Sequence, residues 1–410
     1  MPSFVGTLLT NRLIWGGIAV AALALASWRF RFVTVARHRR APQATAPAPA
    51  PVIGQSAPTR PVFGAGVYFA QFRSQVLMDL RGVFKSYPFY VLLLFALMNV
   101  VNGFVLATSQ LFGTPLIPVT RVMLELIQGM YGFMTVIILV YYAGELVHRE
   151  RQSHVSDYVD AMPFANGIVV AGKIVALWLI VAAVQLMGMF AAMVAQLLNG
   201  YSNFEIPTYL FGLFIVQGAF PFLLCVVAIA VQSLVDNKFV GMLAIVVLFF
   251  VMGALDSLGF EHVLYQLGIP AAPLSDMNGW GHFLEPIFTV GAYWALIMVL
   301  VGSLAHLFMR RGTVGGYRER FIEARRRFTL PLATVATVAL LGAAIVGGWI
   351  FYNTNVLNTY LTADDLEAMQ ADYEKSYKRY ETLPMPEPVS VDVEVDIFPG
   401  ERASKAAAAC

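Results

Sequence analysis

The sequence predicts an all-α integral membrane protein, and three observations carry that prediction. Long apolar runs recur along the chain, and a hydrocarbon slab about 30 Å thick is crossed by roughly 20 apolar residues in a helix. Hydrophobic residues make up 58% of the chain and charged residues only 13%, against roughly 25% charged in soluble domains; mean hydropathy is +0.68. Basic residues crowd into alternate loops. Arg29, Arg31, Arg37, Arg39 and Arg40 follow the first run, and Arg310, Arg311, Arg318, Arg320, Arg325, Arg326 and Arg327 separate the last two. Short loops rich in Lys and Arg stay on the cytoplasmic side. A net charge of +2 says little here, because the basic and acidic excesses lie on opposite sides.

Backbone in lipid must satisfy its own hydrogen bonds, so each run is read as a helix. About eight transmembrane helices are expected, over residues 13–27, 88–108, 122–147, 167–198, 207–235, 239–258, 285–309 and 330–351. Alternation puts 28–87, 148–166, 236–238 and 310–329 inside. It puts 109–121, 199–206, 259–284 and everything after 352 outside. The outer segment 259–284 contains no Lys or Arg, and the last outer segment opens with Asp364, Asp365 and Glu367. Residues 1–27 imitate a cleavable signal, yet cleavage would export the segment carrying five arginines. A retained helix with its amino terminus outside, covering 1–40, fits better. Residues 41–62, rich in Pro and Ala, read as an extended cytoplasmic linker.

Just before the second run, Phe69, Phe72, Val76, Leu80 and Val83 recur at spacings of three and four, and Arg73 interrupts the stripe. Two readings stand: an interfacial helix lying in the cytoplasmic leaflet, its arginine snorkelling, or a helix packed on the bundle. Beyond the last run, residues 361–380 are helix-compatible with Leu366, Met369, Tyr373 and Tyr377 along one side. Val389, Val391, Val393, Val395 and Ile397 alternate with polar residues, which predicts one isolated strand in a short external tail, 353–410. The final residues, 401–410, specify nothing.

The polar stretch closing the third run carries Glu145, His148, Arg149, Glu150, Arg151, Asp157 and Asp160, then Pro163, Asn166-Gly167 and Gly172-Lys173-Ile174. A solvated loop of mixed charge is the plain reading. The order Gly-Glu-Leu, Arg-Glu-Arg, Asp-Ala-Met-Pro and Gly-Lys-Ile nevertheless resembles the ABC-2-type permeases of ATP-binding-cassette exporters. That resemblance implies a six-span permease half with its interfacial helix over 63–309, followed by an Arg-rich cytoplasmic loop at 310–329 and a last helix at 330–352. It makes Glu145, His148, Arg149, Glu150, Arg151, Asp157 and Asp160 a coupling helix that touches an ATPase. The flanking spans, with Tyr-Glu-Thr-Leu-Pro-Met-Pro-Glu-Pro-Val near the end, resemble bacterial fusions of ABC-2 permease spans with an M1-type metallopeptidase. Against those, a first permease half and the peptidase domain are missing here.

Several chemistries fall away. Gly167 to Ile174 nearly matches a phosphate-binding loop, but Ile174 stands where a Ser or Thr hydroxyl is needed for magnesium. ATP hydrolysis is therefore expected in a separate subunit. None of the six histidines forms H-E-x-x-H, and His262, His282, Glu261, Asp276 and Glu285 read as solvated loop residues. Two cysteines build no disulfide or metal framework. No catalytic residue, metal, cofactor or nucleic-acid partner is expected. The partners implied are an ATP-binding cassette subunit, a second permease half or a homodimer mate, and membrane lipid. Ionisable groups are scarce within the spans, and Gln185, Gln217 and Gln232 are the polar candidates for lining a path. The expected function is the membrane-spanning permease component of an ABC transporter of the inner membrane. The alternatives are a membrane anchor for an M1-type zinc aminopeptidase, or a truncated fragment without function.

Overall fold

A computed structural model describes residues 13–17, 20, 21, 24, 64–110, 117–162, 164–312, 316–384, 390–398 and 403–409. The chain divides into two units, Met1–Val62 and Phe63–Cys410. In the first unit the described residues are helical and exposed; part of the expected span 13–27 and all of the 41–62 linker lie outside the described residues.

The second unit is a helical bundle. Helices α1 (Ala65–Phe84), α2 (Tyr87–Gln110), α3 (Thr120–Gln152), α4 (Ser156–Ala161) and α5 (Asn166–Leu198) come first. Then follow α6 (Ile206–Phe211), a π turn (Gly212–Val216), α7 (Ala219–Leu234) and α8 (Lys238–Gly253). The series ends with α9 (Leu284–Phe308), α10 (Tyr317–Arg327), α11 (Leu330–Phe351) and α12 (Ala363–Tyr377). Among the described residues, six helical segments are long and apolar enough to cross a membrane: Tyr87–Val105, Thr120–Gln152, Asn166–Leu198, Ile206–Leu234, Gly281–Phe308 and Leu330–Val356. The protein is thus a multi-pass membrane protein, as its hydropathy predicts. At 1.5 Å per residue, the 16 residues of α8 reach only about 24 Å. The expected span 239–258 is cut short because the helix stops at Gly253 and a 3-10 turn (Asp256–Leu258) leads into Gly259 in the left-handed region.

The core is built around α3, which packs against α2, α5, α7 and α8. Leu139, Ala143, Leu146, Leu177, Ile180 and Ile229 are fully enclosed there. A smaller apolar cluster joins α7, α9 and α11 through Leu223, Val226, Trp294, Met298 and Ile350. Buried polar groups find partners across the bundle: Gln196 Nε2 donates to the Pro118 carbonyl (2.8 Å) and accepts the Tyr209 hydroxyl at Oε1 (3.0 Å).

Two local expectations change. Residues 310–329 are not only loop, since Tyr317–Arg327 is helical. The helix forms because Arg320 and Ala324 share a buried face, which the high arginine content hides. The tail strand is not isolated: β1 (Asp392–Phe398) pairs antiparallel with β2 (Ala403–Ala409). The alanine run that specifies nothing alone is held by the ladder opposite it, from Asp392↔Ala409 to Phe398↔Ala403.

Candidate functional site

Glu145, His148, Arg149, Glu150 and Arg151 occupy the last two turns of α3, where hydropathy gives way to charge. The helix then ends in a Schellman motif. The His154 amide donates to the Arg151 carbonyl (3.1 Å) and the Val155 amide to the Glu150 carbonyl (3.0 Å). His154 takes the left-handed position at φ 56° without being glycine, at a cost of about 1 kcal/mol. This reversal launches α4, which carries Asp157 and Asp160.

Most of these charges turn inward. Glu145 accepts from Lys238 Nζ (3.2 Å). His148 Nε2 donates to Gln232 Oε1 (3.1 Å). Arg149 reaches Asp79 on α1 (3.5 Å), passing over Gly82, where a Cβ would overlap its guanidinium. Glu150 pairs with Lys173 (3.0 Å), whose amine also donates to the Leu146 carbonyl (2.7 Å). Arg151 lies 3.8 Å from Asp160, and Asp160 Oδ2 accepts the Gly312 amide (2.7 Å). Asp157 is exposed. Gly172 and Lys173 are mid-helix in α5, so the near-match to a phosphate loop is a helix face packed on Gln75 and Glu150.

Other residues complete this end of the bundle. Arg311 cradles the segment after α4, donating to the carbonyls of Asp160 (3.0 Å), Phe164 (2.6 Å) and Met162, and to Asn166 Oδ1 (3.1 Å). Arg320 donates to the carbonyls of Ser233, Leu234 and Phe308 and to Asp236, and Arg327 to the Met309 carbonyl (2.6 Å). Guanidinium groups thus occupy the negative ends of α7 and α9. What remains outward is one surface of the turn and α4, with Val155, Tyr158 (76% exposed) and Met162 presented beside Asp157.

The stripe before the second span divides. Phe72, Val76, Leu80 and Val83 face the bundle and α1 packs along α5, while Phe69 (67% exposed) and Arg73 point away. The stripe also holds Asp79, buried and bonded by Gln75 Nε2 (2.9 Å). Its position between Val76 and Val83 is the signal that could have found it. Burial pushes its carboxyl above the usual value, with Lys173, Gln75 and Arg149 pulling it back.

Nearer the other end, α3, α5, α7 and α8 line an open-sided cavity of about 330 Å³ that includes Gln128, Tyr131, Thr135, Gln185, Gln217 and Phe249 among others. An adjoining cleft of about 590 Å³ shares Gln128 and Gln217 and adds Arg121 and Glu125. Of the three glutamines expected on a path, Gln185 and Gln217 meet here; Gln232 lies instead with His148. The π turn aims Gln217 inward. The Gln217 amide bonds the Gly212 carbonyl (2.8 Å), Pro221 offers no amide hydrogen to residue 217, and a Cβ on Gly218 would meet the Phe214 carbonyl oxygen at 2.5 Å. On the same side His262 Nδ1 accepts the Leu264 amide (3.2 Å), and Nε2 donates to Thr354 Oγ1 and Asn355 Oδ1 (2.9 Å each).

Residues 84–253 match the family described as ABC-2 family transporter protein. That stretch is less than half of the chain and runs from the end of α1 through α8, including the α3–α4–α5 turn and the cavity. A search of curated proteins gives no match. The similarity is to a membrane component of transport; a union with an M1 peptidase has no support from it.

Proposed function

We propose that the chain is the membrane-spanning permease component of an ABC transporter of the inner membrane, driven by ATP hydrolysed in a separate subunit. Its arginine-rich end is then cytoplasmic and its tail external. The observation that carries the reading is the α3–α4 turn inside the region similar to ABC-2 transporters. Ion pairs brace it from beneath, and Val155, Tyr158, Asp157 and Met162 stand free above. Glu145, His148, Arg149, Glu150, Arg151 and Asp160 serve as the rigid mount that passes motion into α3 and α5, and Asp157 belongs to the contact itself. A firmly mounted element moves helices when it is pushed; a loosely held loop would absorb the push.

A photo-crosslinking residue at position 158, in the full chain in its native membrane, is expected to trap a protein that azido-ATP also labels. The same residue at Phe190, exposed along α5, is expected to trap none. Position 158 trapping no ATP-binding protein would overturn the reading. The exposed tail favours a second one, in which the chain anchors an outer domain. Leu366, Met369, Tyr373, Val393 and Val395 all lie bare, as a surface awaiting a neighbour would. Trapping of a partner through α12, with none at position 158, would favour the anchor.

A further inference from the structure

We infer that the cavity between α3, α5, α7 and α8 is a binding site for an uncharged, hydroxyl-bearing amphiphile. The inference deepens the permease reading, and takes from it only the purpose such a site serves. Among the described residues, no Asp, Glu, Lys, Arg or His lines the cavity. A charged ligand would find no counter-ion there, in a surround where unpaired charge is costly. Its volume of about 330 Å³ is at the lower end of small-molecule sites.

Two of its polar atoms make the site specific. Tyr131 is 2% exposed, and its hydroxyl makes no hydrogen bond within the described residues; neither does Gln217 Oε1. Gln217 Nε2 donates to the Leu124 carbonyl (3.2 Å), which fixes the amide so that Oε1 is the atom left over. Buried polar groups are ordinarily paired, and each one left alone costs about 1–3 kcal/mol. A ligand hydroxyl supplies what each atom lacks, a donor for Gln217 Oε1 or an acceptor for the Tyr131 hydroxyl. Gly188 leaves the space in which the Tyr131 ring sits, because a Cβ there would overlap it. Leu139, Leu224 and Phe249 offer the apolar wall for a hydrocarbon body. The adjoining cleft, with Arg121 and Glu125 at the far side, connects this site toward the end of the bundle away from the arginine network.

The test is photolabelling of the full chain in lipid nanodiscs with a long-chain alcohol that carries a diazirine. Labelling is expected on peptides containing Tyr131 and Leu224, competed by 1-dodecanol and not by dodecyltrimethylammonium. Tyr131→Phe removes only an oxygen that makes no hydrogen bond among the described residues, so the fold persists. It should lower the site-specific yield about 3- to 10-fold, the worth of one hydrogen bond. Labelling spread evenly over the outer helix faces, or equal labelling of Tyr131→Phe, would overturn the site. Because no ATPase takes part, crosslinking at position 158 and labelling at Tyr131 succeed or fail separately.

Discussion

Lys173 holds its amine inside the bundle at 1% exposure, and the Leu146 carbonyl and Glu150 together make that tolerable. Replacing it by Met leaves Glu150 without its partner and takes from the Leu146 carbonyl the donor it has beside its own helical amide. Since Glu150 keeps some contact with solvent, the expected loss is about 2–3 kcal/mol, below that for a fully enclosed pair. A thermal unfolding series in nanodiscs measures it, and an unchanged midpoint for Lys173→Met would count against the pairing. Asp79 on α1 makes a second residue-scale case. Burial is the largest influence on it and raises its pKa from 3.8. A carboxyl raised in the fold contributes most below its unfolded pKa, and that contribution is lost as pH rises through the folded value. Between pH 4 and pH 7 the wild-type midpoint should therefore fall relative to Asp79→Asn. Parallel curves for the two chains would remove Asp79 from the account.

Between elements, the crossing of α3, α7 and α8 depends on missing side chains. Gln232 lies in a slot between Gly144 and Gly241, where a Cβ on Gly241 would overlap its Oε1 and one on Gly144 would meet its Nε2 at 3.1 Å. The amide is held by His148 and by the Lys238 carbonyl (3.3 Å), so it has little room to retreat. Gly241→Ala is expected to destabilise by about 1–3 kcal/mol through overpacking. Gly253→Ala meets nothing within 4 Å and should be neutral or slightly stabilising. Equal midpoints for the two variants would show that the slot is not tight. Helix α10 teaches a related lesson. Arg320 is among its most buried residues because three backbone carbonyls from two separate stretches converge on one guanidinium, and no window of local composition registers that.

At the scale of the whole molecule, the helices were legible because each is a long sum of transfer energies, and errors at single positions cancel. Tyr87, Asn166, Ile206, Leu284 and Leu330 begin helices within two residues of the expected starts. The second tail strand was not legible, since alanine favours helix and only pairing with β1 overrides it. The candidate contact was readable as a stretch of mixed charge, while the direction of each charge was not. Glu150 and Arg151 read alike with Asp157 in the sequence, yet their partners lie on α5 and α4, supplied by the fold. Tyr131 and Gln217 belong together only through the bundle, being far apart along the chain. The π turn that presents Gln217 is, in helical terms, one surplus residue in the span Ile206–Leu234. Deleting a single residue from Gly212–Val216 would leave the hydropathy of that span almost intact. It would also regularise the helix, with the flanking turns kept in phase, and remove the bulge that presents Gln217 to the cavity. A one-codon loss here would spare membrane insertion and cost the cavity one of its polar groups, a lesion that inspection of hydropathy alone would pass as harmless.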